Sequence, residues 1–348
     1  MPGDFLRRLP KTDLHCHLDG SVRPATVLEL ARRCGAKLPA DTVEALTPHL
    51  RVSPTCGSLK EFLDAFALIY PVLRTPEAVE RIAYELVEDC AAENILHVEA
   101  RLAPELQRTA SFSSEAVLEA VLRGLRRGYR DFGTTSAVIV CLLREHSPAQ
   151  NRRAFEALAK LFNADAKAAV PAVVGLDLAG DEAAIPMGPN AAFYEEARAR
   201  GFFTTCHAGE TGGEDLETVF ALGVQRIGHG AKLAEKPALL ELAARRGVPV
   251  EVNLTSNVFT KAARSLKEHP AMRFYQAGVP ITLNTDDRAI MGIDLTHEYQ
   301  AALELGFTRD QLAGIALGST DHVFLPLPER RALRARFESA LEALKAAS

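Results

Sequence analysis

Histidine and carboxylate side chains occur at the ends of several short apolar segments of this chain. His15 and His17 lie in the first segment, His207 ends a later one, and Asp286 follows the last. Alternate residues of a β-strand point to the same side, so the HxH pair presents two imidazoles together. Neutral imidazole and carboxylate ligands suit zinc, and a catalytic zinc keeps one position for water. Two hydrogen-bonded interior histidines are the alternative for HxH alone, but its combination with His207 and Asp286 predicts one zinc ion per chain.

Two further side chains are candidates for proton transfer. Glu210 lies three residues beyond His207 in a glycine-rich turn. A pocket that removes water from its carboxyl group would raise the pKa and allow proton donation near neutral pH. His229 lies between two glycines and is a candidate to orient or deprotonate a water whose pKa zinc lowers to about 7. The alternatives are a solvated loop glutamate and a structural turn histidine.

Asp286 and Asp287 are consecutive, and adjacent residues of an extended segment face opposite ways. We therefore expect one to bind the metal and the other to contact the ligand. Glu99 and Arg101 are predicted to form an interior ion pair, and His97 has no evident partner. Ordinary surface or partly hydrogen-bonded positions are predicted for the other histidines, which are His49, His146, His269, His297 and His322.

The segments that must position these residues are short, apolar and rich in β-branched residues. Most are nearly continuous in apolar residues, as expected for parallel strands covered on both faces. The eight segments are Thr12–Leu18, Ile95–Leu102, Ser136–Leu143, Val173–Ala179, Phe202–Ala208, Gln225–Gly230, Val248–Thr255 and Val279–Asp287. Eight strands separated by helices predict an α/β fold of the (β/α)8 TIM-barrel type, in which the polar residues converge at the carboxyl ends of the strands. An open doubly wound sheet is the alternative.

Helix signals fill the intervals between these segments. Ser58 and Glu61 have capping-box spacing. Thr75-Pro76 is typical of an N-cap followed by a first-turn proline, and Gly247 is typical of a helix end. The extra helices between the first and second strands are predicted to cap the mouth of the barrel. No linker marks a boundary, so residues 1–348 are predicted to form a single domain.

Composition narrows the class of protein. The chain has 348 residues and a net charge of -5, without a basic stripe for a phosphate backbone, which argues against nucleic acid as a partner. Six scattered cysteines without a CxxC pair, and no apolar run of membrane-spanning length, predict a cytoplasmic protein with no membrane contact. HExxH, HxE…PCxxC, GxGxxG, P-loop and GxSxG motifs are absent, which excludes the corresponding enzyme classes.

Seven short segments follow one another in a characteristic order: LHCHLDGS, SLKEFLDAF, VVGLDLAGDE, CHAGE, RIGHG, LTSN and LNTDD. Through them the chain resembles the adenosine deaminase family of the amidohydrolase superfamily. The segments are spread over essentially the whole chain, and together they are far more specific than any one alone. The resemblance implies zinc-dependent hydrolytic deamination of adenosine and 2′-deoxyadenosine to inosine and ammonia, a purine-salvage reaction on a small purine nucleoside.

The resemblance also implies roles for individual residues. The zinc ligands would be His15, His17, His207 and Asp286. A hydroxide would attack C6 of the purine while Glu210 protonates N1. His229 would polarise that hydroxide, and Asp286 would help to orient it.

Substrate-binding roles are implied in the same way. The residues concerned are His17, Asp19, Leu59, Phe62, Phe66, Gly180, Ser256 and Asp287. Asp287 resembles the partner of N7, the backbone N–H of Gly180 the partner of N3, and Asp19 the residue that binds the ribose 5′-hydroxyl. The leucine and the two phenylalanines match an apolar lid over the purine. The serine matches one that lies beside the histidine of the sixth strand.

The chain departs from the family pattern at three places. Arg288 follows the paired aspartates where proline is usual, and it could point into the mouth of the pocket. Asn253-Leu254 stand where Cys-Pro is common, and Ala316–Leu325 lacks the usual asparagine-alanine pattern. None of the three is expected to touch the zinc or Glu210.

Two alternative functions remain open at this point. A deaminase of adenine, or of a 5′-modified nucleoside such as aminodeoxyfutalosine, is the nearer one. Asp19 argues against free adenine, because a carboxylate at that place has no purpose without a sugar hydroxyl. The other alternative is a catalytically inactive barrel used for binding.

Overall fold

Eight parallel strands form one sheet in the chain order β1 to β8. The computed structural model describes residues 2–53, 55–163, 165–167 and 170–346. The strands are β1 (Lys11–His17), β2 (Ile95–Leu102), β3 (Thr135–Leu143), β4 (Val173–Ala179), β5 (Phe203–Ala208), β6 (Arg226–His229), β7 (Val250–Val252) and β8 (Ile281–Leu283). A parallel bridge between Cys16 and Asp286 joins the last strand's extension to the first. The predicted (β/α)8 barrel is therefore confirmed.

Helices connect the strands around the outside of the barrel. They are α1 (Pro2–Arg8), α2 (Pro24–Cys34), α3 (Val43–Leu50), α4 (Leu59–Asp64), α5 (Pro76–Ala92), α6 (Pro104–Gln107), α7 (Ser114–Phe132), α8 (Pro148–Leu161), α9 (Ala191–Ala199), α10 (Leu216–Leu222), α11 (Pro237–Arg246), α12 (Leu254–Phe259), α13 (Ala271–Gln276), α14 (Arg288–Met291), α15 (Leu295–Glu304), α16 (Arg309–Ser319) and α17 (Leu327–Ala346). None of the described helices combines the length and the apolar character that a bilayer-spanning segment requires. Residues 1, 54, 164, 168–169 and 347–348 of the predicted single domain lie outside the described residues.

The last two strands are shorter than the sequence predicts. The segment Val248–Thr255 contains only three strand residues, because the chain turns into α12 at Leu254. The segment Val279–Asp287 also contains only three, and Asp286 beyond it has a φ of 59°, in the left-handed region. Both ends leave the strand to deliver polar residues to the mouth of the barrel.

Local signals explain the helices between β1 and β2. The Ser58 hydroxyl accepts a hydrogen bond from the backbone N–H of Glu61 and caps α4 as predicted. The reciprocal bond of the predicted capping box goes elsewhere, since the Glu61 carboxylate accepts from the N–H of Gly57. Thr75 caps α5, and Gly247 ends α11 in the left-handed conformation, as expected.

The interior of the barrel contains a network of charged side chains that we call the interior network: Glu99, Arg101, Asp177, Arg226 and Glu251, all fully or almost fully buried. Arg101 donates to Asp177 at 2.8 Å and to Glu251 at 3.0 Å. Arg226 donates to Glu99 at 2.5 Å and to Glu251 at 2.6 Å. The predicted direct pair between Glu99 and Arg101 is thus wrong, because each side chain meets its counter-charge on another strand. His97, expected to lack a partner, contacts the Thr135 hydroxyl at 2.9 Å.

Candidate active site

A cavity of about 290 Å³ opens at the carboxyl ends of the strands. This volume is at the lower end of small-molecule sites, which span roughly 300–1,000 Å³. Its lining includes His17, Asp19, Leu59, Phe62, Phe66, Gly180, His207, Glu210, His229, Ser256, Asp286 and Asp287. Every site residue proposed from the sequence therefore lines this cavity except His15, which is completely buried beside it.

Four of these side chains bring their ligand atoms together. The Nε2 atoms of His15 and His17 lie 3.1 and 3.2 Å from Nε2 of His207. Oδ1 of Asp286 lies 3.1 Å from His15 Nε2 and 3.3 Å from His17 Nε2. A zinc ion with tetrahedral bonds of about 2.0–2.1 Å separates its ligand atoms by roughly 3.3–3.4 Å. The four atoms are thus spaced almost as zinc ligands.

The chemistry of this group also fits a cation. Oδ1 of Asp286 is buried and has no hydrogen-bond partner among the described residues. Each neutral imidazole has one nitrogen without a proton, so three Nε2 atoms and a carboxylate oxygen can present lone pairs to a common point. Without a cation, these converging lone pairs repel one another. A divalent ion at the common point makes the arrangement favourable. Zinc therefore fits the residues present.

A second combination of side chains, with His229 in place of His17, could also hold a metal ion. Atoms of His15, His207, His229 and Asp286 all lie within 4.8 Å of one another. The nearest atoms of His229 and Asp286, Nε2 and Oδ2, are 3.9 Å apart. His17 approaches Asp286 more closely, so the distances favour His17 as the ligand and leave His229 beside the metal position.

Carboxylates of the interior network orient two of the metal-site histidines. Nδ1 of His15 lies 2.7 Å from Glu251, and Nδ1 of His207 lies 2.9 Å from Asp177. A proton held on Nδ1 leaves Nε2 free to bind a metal, and such outer carboxylates are a common feature of zinc sites. Sequence reasoning missed both partners. The available signal was a lone charged residue inside an apolar strand, as in Val-Glu-Val around Glu251.

Backbone contacts to β1 place Asp286. Its N–H donates to the carbonyl of His15 at 2.8 Å, and its carbonyl accepts from the N–H of His17 at 2.8 Å. Asp286 and His229 are both non-glycine residues with positive φ, 59° and 62°. Such conformations are strained and occur often at functional sites, where surrounding contacts hold them. The side chains of the two strained residues approach each other to 3.9 Å, between Nε2 of His229 and Oδ2 of Asp286.

Glu210 lies in a loop whose backbone is hydrogen-bonded to the Glu182 side chain. Its carboxyl group is buried, and burial together with the charges of Asp286 and Glu182 raises its pKa to about 8. Glu182 accepts hydrogen bonds from the backbone N–H groups of Gly209, Thr211 and Gly212, at 2.9, 2.7 and 3.0 Å. The loop on both sides of Glu210 is therefore fixed, and the residue can carry a proton at neutral pH. Glu182 was not singled out from the sequence.

Two more carboxyl groups in the cavity have raised pKa values. Burial raises the pKa of Asp19 to about 6, although the side chains of Tyr70 and Gln107 hydrogen-bond to it. Burial and the adjacent Asp286 charge raise the pKa of Asp287 well above its usual range. Asp287 is therefore able to donate a hydrogen bond in its neutral form, whereas Asp19 is mainly an acceptor at neutral pH.

The outer wall of the cavity is apolar. Phe62 and Phe66 are buried, and Leu59 and the more exposed Leu63 lie beside them at the mouth. The ring of Phe66 stacks on Tyr70 with a centroid distance of 5.7 Å. The helices between β1 and β2 thus supply the predicted lid, and Leu63 and Tyr70 are additional members that sequence reasoning missed.

Ser256 lines the same cavity as His229, and its hydroxyl is buried without a hydrogen-bond partner among the described residues. The amides of Asn253 and Asn257 contact His229. One expectation, for Arg288, is corrected. Arg288 does not line the active-site cavity, because it turns inward to Glu93 and towards Asp13 at 3.8 Å.

Two of the histidines predicted to have ordinary surface or partly hydrogen-bonded positions lie in the site or next to it. His146 lines the cavity, and burial lowers its pKa. His269 is 4% exposed and contacts the Asn257 side chain at 3.0 Å. A histidine in a connecting segment gives no periodic signal, so only the folded geometry identifies it.

The geometry agrees with comparisons to known proteins. The sequence model of the family described as adenosine deaminase matches residues 10–340. The chain belongs to the adenosine deaminase family. Within the family, the adenosine deaminase of Klebsiella pneumoniae (strain 342) is 38% identical over 329 residues, which cover 93% of this chain and 96% of that protein. The resemblance inferred from the seven segments is thereby confirmed.

Solved structures extend the similarity to the whole fold. An amidohydrolase from Burkholderia ambifaria, solved with bound zinc, is 28% identical with a TM-score of 0.85, covering 99% of this chain and 94% of that one. The adenine deaminase of Arthrobacter aurescens is 25% identical with a TM-score of 0.85, covering 96% of this chain and 99% of that one. The barrel thus has a counterpart of the same fold that was solved with bound zinc.

Proposed function

We propose that the chain is a zinc-dependent deaminase that hydrolyses adenosine and 2′-deoxyadenosine to inosine and ammonia, as in purine salvage. One observation carries the proposal: a cluster of metal-ligand type and the buried acid Glu210 share one cavity. Membership of the adenosine deaminase family supports it. The cytoplasmic location, the single domain of residues 1–348 and the lack of nucleic-acid or membrane partners remain predictions from the sequence.

The metal would be held by His15, His17, His207 and Asp286. Zinc bound there supplies a nucleophile at neutral pH, because it lowers the pKa of water to about 7. In the net reaction water adds its oxygen to C6, the bond from C6 to the amino nitrogen breaks, and the two protons of water end on N1 and on ammonia. The protein residues must therefore place C6, deliver one proton to N1 and exclude other water.

Glu210 delivers the proton to N1. Its pKa of about 8 keeps the carboxyl group protonated at neutral pH, close to the value that favours proton transfer. His229 and Asp286 face the position from which C6 is attacked, and they orient the attacking oxygen. The lid of Leu59, Phe62 and Phe66 covers the purine and removes bulk water.

Two groups orient the purine ring. Asp287, whose pKa burial and the Asp286 charge raise well above the usual range, donates a hydrogen bond to N7 in its protonated form. The backbone N–H of Gly180 serves N3. Glycine is favoured at position 180 by the φ of 105°, which is unfavourable for other residues. A Cβ there would also lie 2.2 Å from Oε2 of Glu145, so that exposed side chain would have to move.

Asp19 determines the preference for a nucleoside. This buried carboxylate loses hydration, and a ribose 5′-hydroxyl that donates to it offsets the loss. We expect adenosine and 2′-deoxyadenosine to be good substrates, and 5′-deoxyadenosine and adenine to be poor ones. AMP should be rejected, since its phosphate would approach a carboxylate.

Ammonia release from these five compounds, measured with the zinc-loaded protein, tests the proposal. Asp19→Ala should slow adenosine about tenfold or more, as expected for one buried hydrogen bond of about 1–3 kcal/mol, while 5′-deoxyadenosine changes little and the zinc content stays constant. Asp41→Ala, at an exposed position, is the control. Faster turnover of adenine than of adenosine would instead support adenine deamination. No ammonia from any of the five would refute the proposal.

A further inference from the structure

Two buried side chains, His269 and Asn257, connect the outer helices to His229. The backbone N–H of Ala271 donates to Nδ1 of His269 at 3.1 Å. Nε2 of His269 lies 3.0 Å from Oδ1 of Asn257, and Nδ2 of Asn257 lies 2.9 Å from Nδ1 of His229. His269, Asn257 and His229 are 4%, 0% and 1% exposed. We call this series the histidine relay.

The direction of each hydrogen bond in the relay follows from its first member. A backbone N–H can only donate, so Nδ1 of His269 must be an acceptor. Burial lowers the pKa of His269 to about 4, so the ring is neutral and its single proton is on Nε2. That proton is donated to Oδ1 of Asn257, which fixes the amide orientation. The amide N–H group then points to Nδ1 of His229.

The other end of the relay is at the reaction centre. Because Nδ1 of His229 accepts a hydrogen bond from Asn257, the proton of the neutral His229 ring must be on Nε2. Nε2 is the atom that lies 3.9 Å from Oδ2 of Asp286. Asn253 reinforces the arrangement, since its Nδ2 is 3.2 Å from the same Nδ1.

We propose that His269 and Asn257 are positioning residues that hold the proton of His229 on Nε2, so that His229 donates a hydrogen bond to the attacking oxygen and is not its base. A proton on Nδ1 of His229 would face the amide N–H of Asn257. The carboxyl oxygen on the same side, Oε1 of Glu210, is 3.7 Å from Nδ1, too far for a hydrogen bond, so a buried donor would be left unsatisfied at a cost of about 1–3 kcal/mol. The inference rests on the proposed deaminase function only for its effect on rate. The protonation state of the ring is a property of the protein without substrate.

Nitrogen NMR of histidine-labelled protein tests the relay directly. The signals of His229 are assigned by their absence in His229→Gln. In the zinc-loaded wild-type protein we expect a protonated Nε2 and an unprotonated Nδ1. A proton on Nδ1 would overturn the proposal whether or not adenosine is a substrate, so its failure is distinct from failure of the proposed function.

A pair of substitutions at position 269 tests the effect on catalysis. His269→Gln keeps an N–H donor towards Asn257, so this variant should retain most of the wild-type kcat. His269→Met removes the donor, frees the amide to rotate, and should lower kcat about tenfold with KM and zinc content little changed. The same variant should show a mixture of protonated Nδ1 and Nε2 on His229. Unchanged kcat and unchanged nitrogen signals in His269→Met would overturn the proposal.

A control separates the relay from general stability. His97 is also a fully buried histidine, but it contacts Thr135 far from the relay. His97→Met should lower the melting temperature and leave the protonation state of His229 as it is. If His269→Met does not fold, Asn257→Asp decides the question. A carboxylate facing Nδ1 must draw the proton onto that atom, and an unmoved proton would count against the relay.

Discussion

The barrel contains two adjacent clusters of buried carboxyl groups, one with arginine partners and one without any in the described part of the chain. The interior network pairs two arginines with three carboxylates, and Glu251 alone receives both Arg101 and Arg226. The cavity above it is lined by four aspartates and glutamates of the proposed site, Asp19, Glu210, Asp286 and Asp287. Among the described residues that line this cavity there is no lysine or arginine. Each carboxylate of the interior network has an arginine partner, whereas the carboxyl groups of the cavity have none within the described ranges and require a cation and a substrate.

The pKa values follow this division. Burial alone would raise the pKa of Glu251, but Arg101 and Arg226 hold it well below the usual range. Burial raises the pKa values of Glu210 and Asp287, and the charge of Asp286 raises both of them further. The same desolvation therefore produces fixed anions in the interior network and proton donors at Glu210 and Asp287. Asp286 stays ionised, because the neighbouring histidines outweigh burial and hold its pKa well below the usual range.

Removing a counter-charge should have the largest effect. Arg101→Leu leaves Asp177 and Glu251 buried with too little positive charge, so we expect a loss of about 3–5 kcal/mol in the free energy of unfolding. Denaturant unfolding of the metal-free protein measures it. Metal affinity should fall as well, because these two carboxylates orient His207 and His15.

A surface pair provides the comparison for Arg101. Arg33 and Glu29 form an ion pair whose side chains are 66% and 44% exposed, and Arg33→Leu should change stability by less than about 1 kcal/mol. If Arg101→Leu lowered the free energy of unfolding by as little as Arg33→Leu, the interior network would not stabilise the barrel as we infer.

Substituting the proton donor of the cavity should affect rate and leave the fold unchanged. Glu210→Gln cannot protonate N1, so we expect kcat to fall by about 10²-fold or more, the lower range for a general acid. Elemental analysis should still find one zinc per chain. Glu214→Gln, at an exposed position of the same loop, is the matched control. Near-normal turnover by Glu210→Gln would remove Glu210 from the mechanism.

The sequence was sufficient for residues that are marked by local pattern. Apolar segments predicted all eight strands, and polar residues at their carboxyl ends identified the cavity, because parallel strands of a barrel end on one face. The departures occur where the chain leaves a strand early. Val248–Thr255 looked like one strand, but the polar turn at Asn253 begins a helix that carries Ser256 and Asn257 to the site.

The sequence was insufficient for residues whose role depends on a distant partner. Glu251 is 236 positions from His15, and only closure of the barrel brings them together. The direction of Arg288 also depended on distant residues, since Glu93 and Asp13 draw it away from the cavity. His269 lies in a segment without periodicity and becomes part of the site through one amide, that of Asn257. Pairings of this kind are set by topology rather than by spacing along the chain.

The smallest of the expected effects tests how closely the cavity is packed around Asp287. A Cβ atom at Gly20 would lie 1.7 Å from Oδ1 and 2.6 Å from Cγ of Asp287, so Gly20→Ala must displace that carboxyl group. Gly20 does not have a positive φ, and the objection to alanine is therefore steric alone. Losing one hydrogen bond to the purine, worth about 1–3 kcal/mol when buried, should lower kcat/KM for adenosine roughly tenfold.

Stability and zinc content should change little in Gly20→Ala, because the interior network is untouched. Gly314→Ala is the control, since its new methyl group would meet nothing within 4 Å. Unchanged kcat/KM in Gly20→Ala would mean that Asp287 does not bind the purine. The Asp287 carboxyl group would then have a structural role, like the carboxylates of the interior network.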